Sequence, residues 1–433
     1  MEICIIGAGH VGLVTAACFA DLGHKVICVD NDAKKVATLR KGRSTFYEPG
    51  LESMVARTLK KKHLSLSTEI AEGVRRSQVI FIAVGTPPLA SGEADLTAVE
   101  EVARQIALAM TSYRLVVEKS TVPVETGRWV HRTLKSFVRK NVPFDVASNP
   151  EFLREGSAVH DFLHPDRVVI GVESQAARKI LTDLYKPFKA HLMVTDIASA
   201  ELIKHASNAF LAMKISFINA IGSVCERVGA DVEKVAEGIG MDRRIGRSFL
   251  NAGVGYGGFC FPKDVEAFIR IAEKIGYDFD LLKAVKQIND DQRRLLIKKV
   301  EKHLWNLKGK RVGILGLAFK PETDDLRFAP ALEVIAALIK AGAKVIAYDP
   351  CAMPEARRHL KGVGFAKDPY ELARGADCLV IMTEWKAFKE LQLNRIKKLM
   401  RQPVIVDGRN IYDPIEMKRL GFDYACMGRS GAV

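Results

Sequence analysis

The sequence predicts an α/β protein: two doubly wound parallel sheets joined by a long central helix and a helical region. Three observations carry that reading. Short apolar runs alternate with helical periodicity over about the first 195 residues, a proline-free stretch follows from Ser199 to Val228, and the alternation restarts at Lys310. The implied divisions are residues 1–196, 197–305 and 306–433. A chain of 433 residues is too long for one core, and 48% apolar with 27% charged residues is an ordinary globular composition.

The first division opens with a strand over residues 2–6. Gly7, Gly9 and Gly12 follow, then a helical pattern from Leu13 to Leu22, then a second strand from Val26 to Val29 ending at Asp30. This is the GxGxxG fingerprint in its full strand–turn–helix setting, with an acid 18 residues beyond the last glycine. Gly7 makes the tight turn, Gly9 admits a pyrophosphate to the backbone, and Gly12 allows close helix packing, so the division is Rossmann-like. The helix N-terminus suits the phosphates. Asp30 can accept from both ribose hydroxyls, which favours NAD over NADP; Lys35 could hold a 2′-phosphate instead.

Further apolar strands run from Val79 to Val84, Leu115 to Val117, Val146 to Ala147, and Arg167 to Gly171, which closes the series. The loops after them (85–88, 118–123 and 148–156) are polar and sit at carboxyl ends of strands, where ligands bind in such sheets. Residues 3–20 contain no Asp, Glu, Lys or Arg, yet glycines interrupt them and no positive segment precedes them, so a buried strand and helix explain them better than a signal peptide. No other segment is expected to approach a membrane span.

In the long helix, Lys204 and Asn208 are four residues apart and share a face, aiming an ammonium and an amide at one point, as a developing oxyanion requires. A solvated lysine beside an asparagine is the plain alternative. One helical stretch from about 231 to 305 is then expected to carry a loop from Gly253 to Asp264 with glycines at 253, 255, 257 and 258. There Cys260 lies between Phe259 and Phe261 and just before Lys263 and Asp264, surroundings that lower a thiol pKa and make a nucleophile. Taken alone, the loop suits a buried thiol acting as a small hydrophobe. Beside a dinucleotide turn and the Lys204–Asn208 pair, it suits a covalent catalyst.

The last division has strands at 311–315, 344–348, 378–382 and 404–406 and a helix from Pro330 to Ala341. Its glycine turn is degenerate, with Phe319 where a phosphate turn would take Gly, so no second dinucleotide is expected there in the same way. Lys320 and Arg409 end strands on one edge and are either ligands for another anion or surface charges. Two nucleotide-type domains imply a cleft holding two ligands.

The net charge, +14, is dispersed in short clusters rather than gathered in one stripe, which argues against nucleic acid and for, at most, a polyanionic small molecule. Eight cysteines without CxxC spacing read as reduced thiols in the cytoplasm. His160 and His164 lack a third ligand, and no metal is expected.

These motifs, in this order and over essentially the whole chain, resemble the UDP-glucose/GDP-mannose dehydrogenase family. The matching stretches are 7–12, 47–51, 85–88, 119–123, 149–153, Lys204 with Asn208, 240–246 and 257–264. Of these, 240–246 resembles the UDP-glucose branch more than the GDP-mannose branch, and the Cys-x-Pro-Lys-Asp form of the last sets the chain apart from relatives acting on N-acetylated sugars. Three residues depart from the family pattern: Phe259 for Ser, Glu125 for a small residue, and His10 for Tyr. The resemblance implies a four-electron oxidation of a nucleotide-sugar C6 alcohol to a carboxylate, with two NAD reduced in turn. Cys260 would hold the aldehyde as a thiohemiacetal and then as a thioester that water releases. It implies oxyanion stabilisation by Lys204 and Asn208, water activation by Glu151 with Thr121, and orientation of Lys204 by Asp264. The base for the first step is left among Glu151, Lys204 and a Thr121-bound water.

For NAD the resemblance adds Val11, Lys35, Thr86, Thr121, Glu155, Lys263 and Arg327 to the fingerprint residues. For a UDP-sugar it implies Phe152, Leu153, Arg154, Asn251, Gly253, Tyr256 and Gly257, with Lys320 and Arg409 from the last division. It also implies a dimer through the long helix, with Arg244 reaching a neighbouring subunit's site. The competing readings are a two-electron dehydrogenase of the 6-phosphogluconate or β-hydroxyacid type, which has no use for Cys260, action on another nucleotide hexose such as GDP-mannose, and an NAD-dependent regulatory protein without turnover.

Overall fold

The computed structural model describes residues 1–429. The last four residues of the 306–433 division lie outside the described residues. The chain divides into two compact units: Met1–Ser207 with Glu266–Gly276, and Asn208–Val265 with Tyr277–Val433.

The first unit is built on eight strands: β1 (Glu2–Ile6), β2 (Lys25–Val29), β3 (Leu64–Ser67), β4 (Val79–Ile82), β5 (Arg114–Glu118), β6 (Phe144–Ser148), β7 (Arg167–Val172) and β8 (His191–Thr195). Their order is β3-β2-β1-β4-β5-β6-β7-β8, and only the β6–β7 pairing is antiparallel. The strands read as continuous apolar runs because helices cover both faces. On β1, Ile3 and Ile5 enter one layer with Leu13 and Phe19, while Cys4 and Ile6 enter the other with Ile106 and Met110. Helix His10–Asp21 is buried from Gly12 to Ala20 and therefore carries no polar stripe. β1 lies between β2 and β4, so the crevice at the sheet's switch point opens beside Gly7.

The doubly wound expectation holds. Strand Arg167–Val172 does not close the series, since β8 follows it. β3 is a strand without an apolar run to mark it, because Leu64 to Ser67 is a short apolar–serine alternation. Glu125, unusual as a residue type, is unusual in conformation as well. It has φ +82°, the left-handed region, and caps helix Thr126–Phe137 without a side-chain bond of its own. Its side chain lies at the surface and pairs with Arg128. Glu125→Gly is therefore expected to stabilise the first unit by about 1 kcal/mol, read as a higher urea midpoint.

The long helix spans Ile197–Val228. By length and composition it could cross a membrane, which corrects the expectation that no such segment exists beyond the N-terminus. It nevertheless buries Glu201, Lys204, His205, Asn208, Ser216 and Asn219. A protein-packed helix accounts for those polar groups; lipid would leave them costly. The stretch expected as one helical region over 231–305 is broken into helices Val232–Gly240, Cys260–Lys274 and Asp280–Leu304. Glycine-rich coil separates the first two.

The second unit carries β9 (Arg311–Leu315), β10 (Lys344–Tyr348), β11 (Gly364–Phe365), β12 (Cys378–Ile381), β13 (Val404–Asp407) and β14 (Asp423–Cys426) in the order β11-β10-β9-β12-β13-β14. Every pairing is parallel, giving the Rossmann strand order. Helix Pro330–Lys340 starts on a proline, whose fixed φ and missing N–H suit a first helical turn.

Candidate active site

In the first unit the glycine turn is shaped as a dinucleotide needs. Gly7 has φ +104°, and a Cβ on Gly12 would stand 1.8 Å from the Gly7 carbonyl oxygen, so only glycine lets the helix close onto β1. At Gly9 a Cβ would meet nothing within 4 Å, which is the open space a pyrophosphate requires. Gly9 also supplies no side-chain cap, leaving first-turn amides, Val11 among them, for an anion. Asp30 Oδ2 accepts from Ala8 N at 2.8 Å and from Lys35 Nζ at 3.0 Å, and Oδ1 accepts from Asp32 N at 3.0 Å. Lys35 thus neutralises Asp30 instead of standing ready for a 2′-phosphate. Thr86 Oγ1 donates to the Thr121 carbonyl at 2.9 Å and ties the loops after β4 and β5 together.

Beyond β6, Glu151 Oε1 lies 3.1 Å from Lys204 Nζ, and both side chains are only 5% exposed. The other oxygen, Oε2, accepts from Leu153 N at 2.6 Å. Phe152 presents its ring to the Arg167 guanidinium at 3.9 Å and the Lys204 ammonium at 5.5 Å. A cavity of about 150 Å³ is bordered by Lys119, Glu151, Phe152, Leu153 and Arg154. Arg154 is exposed and forked onto Asp161 at 2.9 and 2.6 Å, and Glu155 is half-buried. Lys119, which sequence reasoning missed, donates to Asn149 Oδ1 at 3.0 Å. Burial holds its ammonium down to about 8, with Glu151 opposing and Lys204 reinforcing that shift. Its sequence signals were a lysine beside a glutamate at a strand end and its place at the head of the 119–123 stretch.

In the second unit Cys260 is a half-buried cysteine outside any disulfide, and it opens helix Cys260–Lys274. Asp264 joins two neighbours: Asn208 Nδ2 donates to Oδ2 at 2.6 Å, and Lys263 Nζ lies 2.7 Å from Oδ1. All three are buried. The loop's glycines serve its own packing: a Cβ on Gly257 would stand 2.3 Å from the Phe328 carbonyl oxygen, and one on Gly253 2.6 Å from that of Gly408. Gly253 N donates to Asn219 Oδ1 and Tyr256 N to Asn289 Oδ1, each at 2.8 Å. Arg409 is no surface charge. Its guanidinium donates to the carbonyls of Gly255, Phe319 and Met382 at 3.1, 3.1 and 2.8 Å. Lys320 Nζ stands 5.5 Å from the Phe319 ring. Asn251 accepts from Arg247 at 2.7 Å, and Arg244, 89% exposed, pairs with Asp242.

Phe259 finds its reason here. The Arg327 guanidinium lies 4.3 Å and the Lys263 ammonium 5.6 Å from its ring, so one aromatic ring meets a cation of its own loop and another from the segment before helix Pro330–Lys340. Phe259→Ser is expected to lower stability by about 1 kcal/mol while kcat stays within about threefold, as checked by urea unfolding and initial rates.

Asp349, at the end of β10, occupies the place that Asp30 has after β2. It is saturated by protein: Leu317 N, Ala318 N, Cys351 N, Ala352 N and Trp385 Nε1 all donate to it. A second dinucleotide ribose would have to displace these donors.

Family profiles match three consecutive stretches. The NAD binding domain of the UDP-glucose/GDP-mannose dehydrogenase family matches residues 1–189, its central domain 198–291, and its UDP binding domain 313–414. A UDP-glucose 6-dehydrogenase of Bacillus subtilis (strain 168) is 47% identical over 99% of this chain and 93% of its own length. One from Rhizobium meliloti (strain 1021) is also 47% identical, over 99% of this chain and 100% of its own. The solved structure of a UDP-glucose dehydrogenase from the hyperthermophilic archaeon Pyrobaculum islandicum superimposes with a TM-score of 0.92 at 42% identity, covering 98% of this chain and 96% of that one.

Proposed function

This chain belongs to the UDP-glucose/GDP-mannose dehydrogenase family, and we propose that it oxidises the C6 alcohol of UDP-glucose to the carboxylate of UDP-glucuronate, consuming two NAD and one water. The observation that carries this reading is Cys260, a partly accessible thiol at a helix start beside the Lys263–Asp264–Asn208 network. A two-electron dehydrogenase needs no such thiol.

NAD, which the Gly7–Gly12 turn and Asp30 would hold, would supply the hydride acceptor for C6 in each of the two oxidations. The chain's own residues do the rest. The alcohol proton passes to the buried Lys204–Glu151 pair. The Cys260 sulfur adds to the aldehyde carbon, giving a thiohemiacetal whose oxyanion Lys204 and Asn208 stabilise. Loss of the second hydride leaves a thioester, and Glu151 with Thr121 directs the water that cleaves it. Asp264 fixes the Asn208 amide and the Lys263 ammonium. Val11, Lys35, Thr86, Glu155, Lys263 and Arg327 serve NAD; Phe152, Leu153, Arg154, Asn251, Gly253, Tyr256, Gly257, Lys320 and Arg409 serve the UDP-sugar.

We assign residues 1–196 to NAD, 197–305 to the thiol loop and subunit contact, and 306–433 to the UDP-sugar. Exposed Phe210, Phe217 and Val224 repeat every seven residues along the long helix and support pairing with a second copy, to whose site Arg244 would reach. Eight cysteines, none in a disulfide among the described residues, fit the reducing cytoplasm. Initial rates with UDP-glucose, UDP-galactose and GDP-mannose test the substrate: kcat/KM is expected to favour UDP-glucose by about tenfold or more, and a preference for GDP-mannose contradicts the reading.

A further inference from the structure

Helix Ile197–Val228, which carries Lys204, grips the loop after β5 at two points. His205 Nε2 lies 2.8 Å from the Val122 carbonyl oxygen, which fixes Nε2 as the protonated nitrogen. Glu201 Oε1 accepts from Gly127 N at 2.7 Å and Oε2 from Glu125 N at 2.8 Å. Glu201 and His205 are four residues apart on one face, and both are almost wholly buried. Thr121 lies just before this grip. From the other side it is held by Thr86 Oγ1 on its carbonyl, and its neighbour Ser120 donates through Oγ to the Val84 carbonyl at 2.9 Å.

The arrangement is costly. Helix Thr126–Phe137 begins at Glu125, whose own side chain makes no cap bond. Its first amides are satisfied from residue 201 instead, by a carboxylate that burial pushes up to about 7. A local Ser or Asp cap would satisfy the Gly127 amide without burying an acid. What a local cap would not do is couple the loop to the helix turn bearing Lys204.

We propose that Glu201 and His205 are positioning residues, which lock the Thr121 loop to the lysine-bearing turn and so set where Thr121 stands relative to Lys204 and Glu151. The inference rests on the catalytic roles proposed above. It sharpens them by making a backbone grip, and not Thr121 alone, responsible for alignment.

The test uses the full-length enzyme with UDP-glucose and NAD. His205→Leu removes the donor to Val122, whereas His205→Gln keeps an N–H at similar reach. Expected are a tenfold or greater loss of kcat in His205→Leu and in Glu201→Gln, with both KM values within threefold of wild type, and recovery to within threefold in His205→Gln. In a Thr121→Ala background, His205→Leu is expected to cost less than threefold more, since the grip acts through that residue. Equal losses in His205→Leu and His205→Gln, or full additivity with Thr121→Ala, overturn the proposal. If His205→Leu does not fold, Glu201→Gln in the same two backgrounds decides in its place. Amide hydrogen exchange of residues 122–127 needs no turnover: faster exchange in the variants supports the grip, and unchanged exchange refutes it. Wild-type enzyme that forms no NADH while the variants exchange faster would count against the catalytic reading alone.

Discussion

Cys260→Ser is expected to stop the enzyme partway, with UDP-glucuronate release lowered by about 10³-fold or more. A thiol is intrinsically nucleophilic and partly ionised at neutral pH, and the start of a helix favours its anion further. A serine hydroxyl in the same place has a far higher pKa and adds to the aldehyde slowly. Any ester it forms also resists water better than a thioester does. The variant should still bind both ligands, because the partners of Asp264 are Asn208 and Lys263 and neither depends on the sulfur. Intact-mass measurement after mixing with UDP-glucose and NAD is expected to show a covalent adduct on the serine variant and little free glucuronate. Full turnover would remove Cys260 from the mechanism.

Lys204→Met has the second largest expected effect, and it acts on two quantities at once. Losing an oxyanion donor costs about 10²–10³ in kcat. The substitution also leaves Glu151 buried without its ammonium partner, and breaking a buried pair by removing one member costs about 3–5 kcal/mol. The two effects separate in a double variant. Lys204→Met with Glu151→Gln removes the stranded carboxylate, so most of the stability should return while activity stays low. Urea unfolding and initial rates read the two effects independently. Lys204→Met with wild-type kcat would mean that the lysine only balances Glu151.

The Lys204 case also shows what the sequence could and could not disclose. Glycine spacing with an acid 18 residues on placed the dinucleotide turn correctly, because sterics at Gly7 and Gly12 leave no other residue type possible. Fully buried parallel strands were legible as apolar runs. β3 and β8 were not, one being a short serine alternation and the other a half-exposed edge. Site residues were legible by type and order, whereas their partners were not. Nothing local in the sequence links Glu201 to the amide of Glu125, 76 residues away, or Arg409 to the carbonyl of Gly255, 154 away. Such pairings are settled by tertiary packing. Nothing in the glycine loop itself accounts for Phe259; Arg327, distant in sequence, packs against its ring.

The central claim is that one enzyme carries out both oxidations through Cys260. It is tested most directly by the NADH formed when a limiting, known amount of UDP-glucose is consumed to completion by the wild-type enzyme. Two NADH per UDP-glucose, with UDP-glucuronate as the product and no free aldehyde accumulating, is the predicted result; one NADH per sugar would contradict the account.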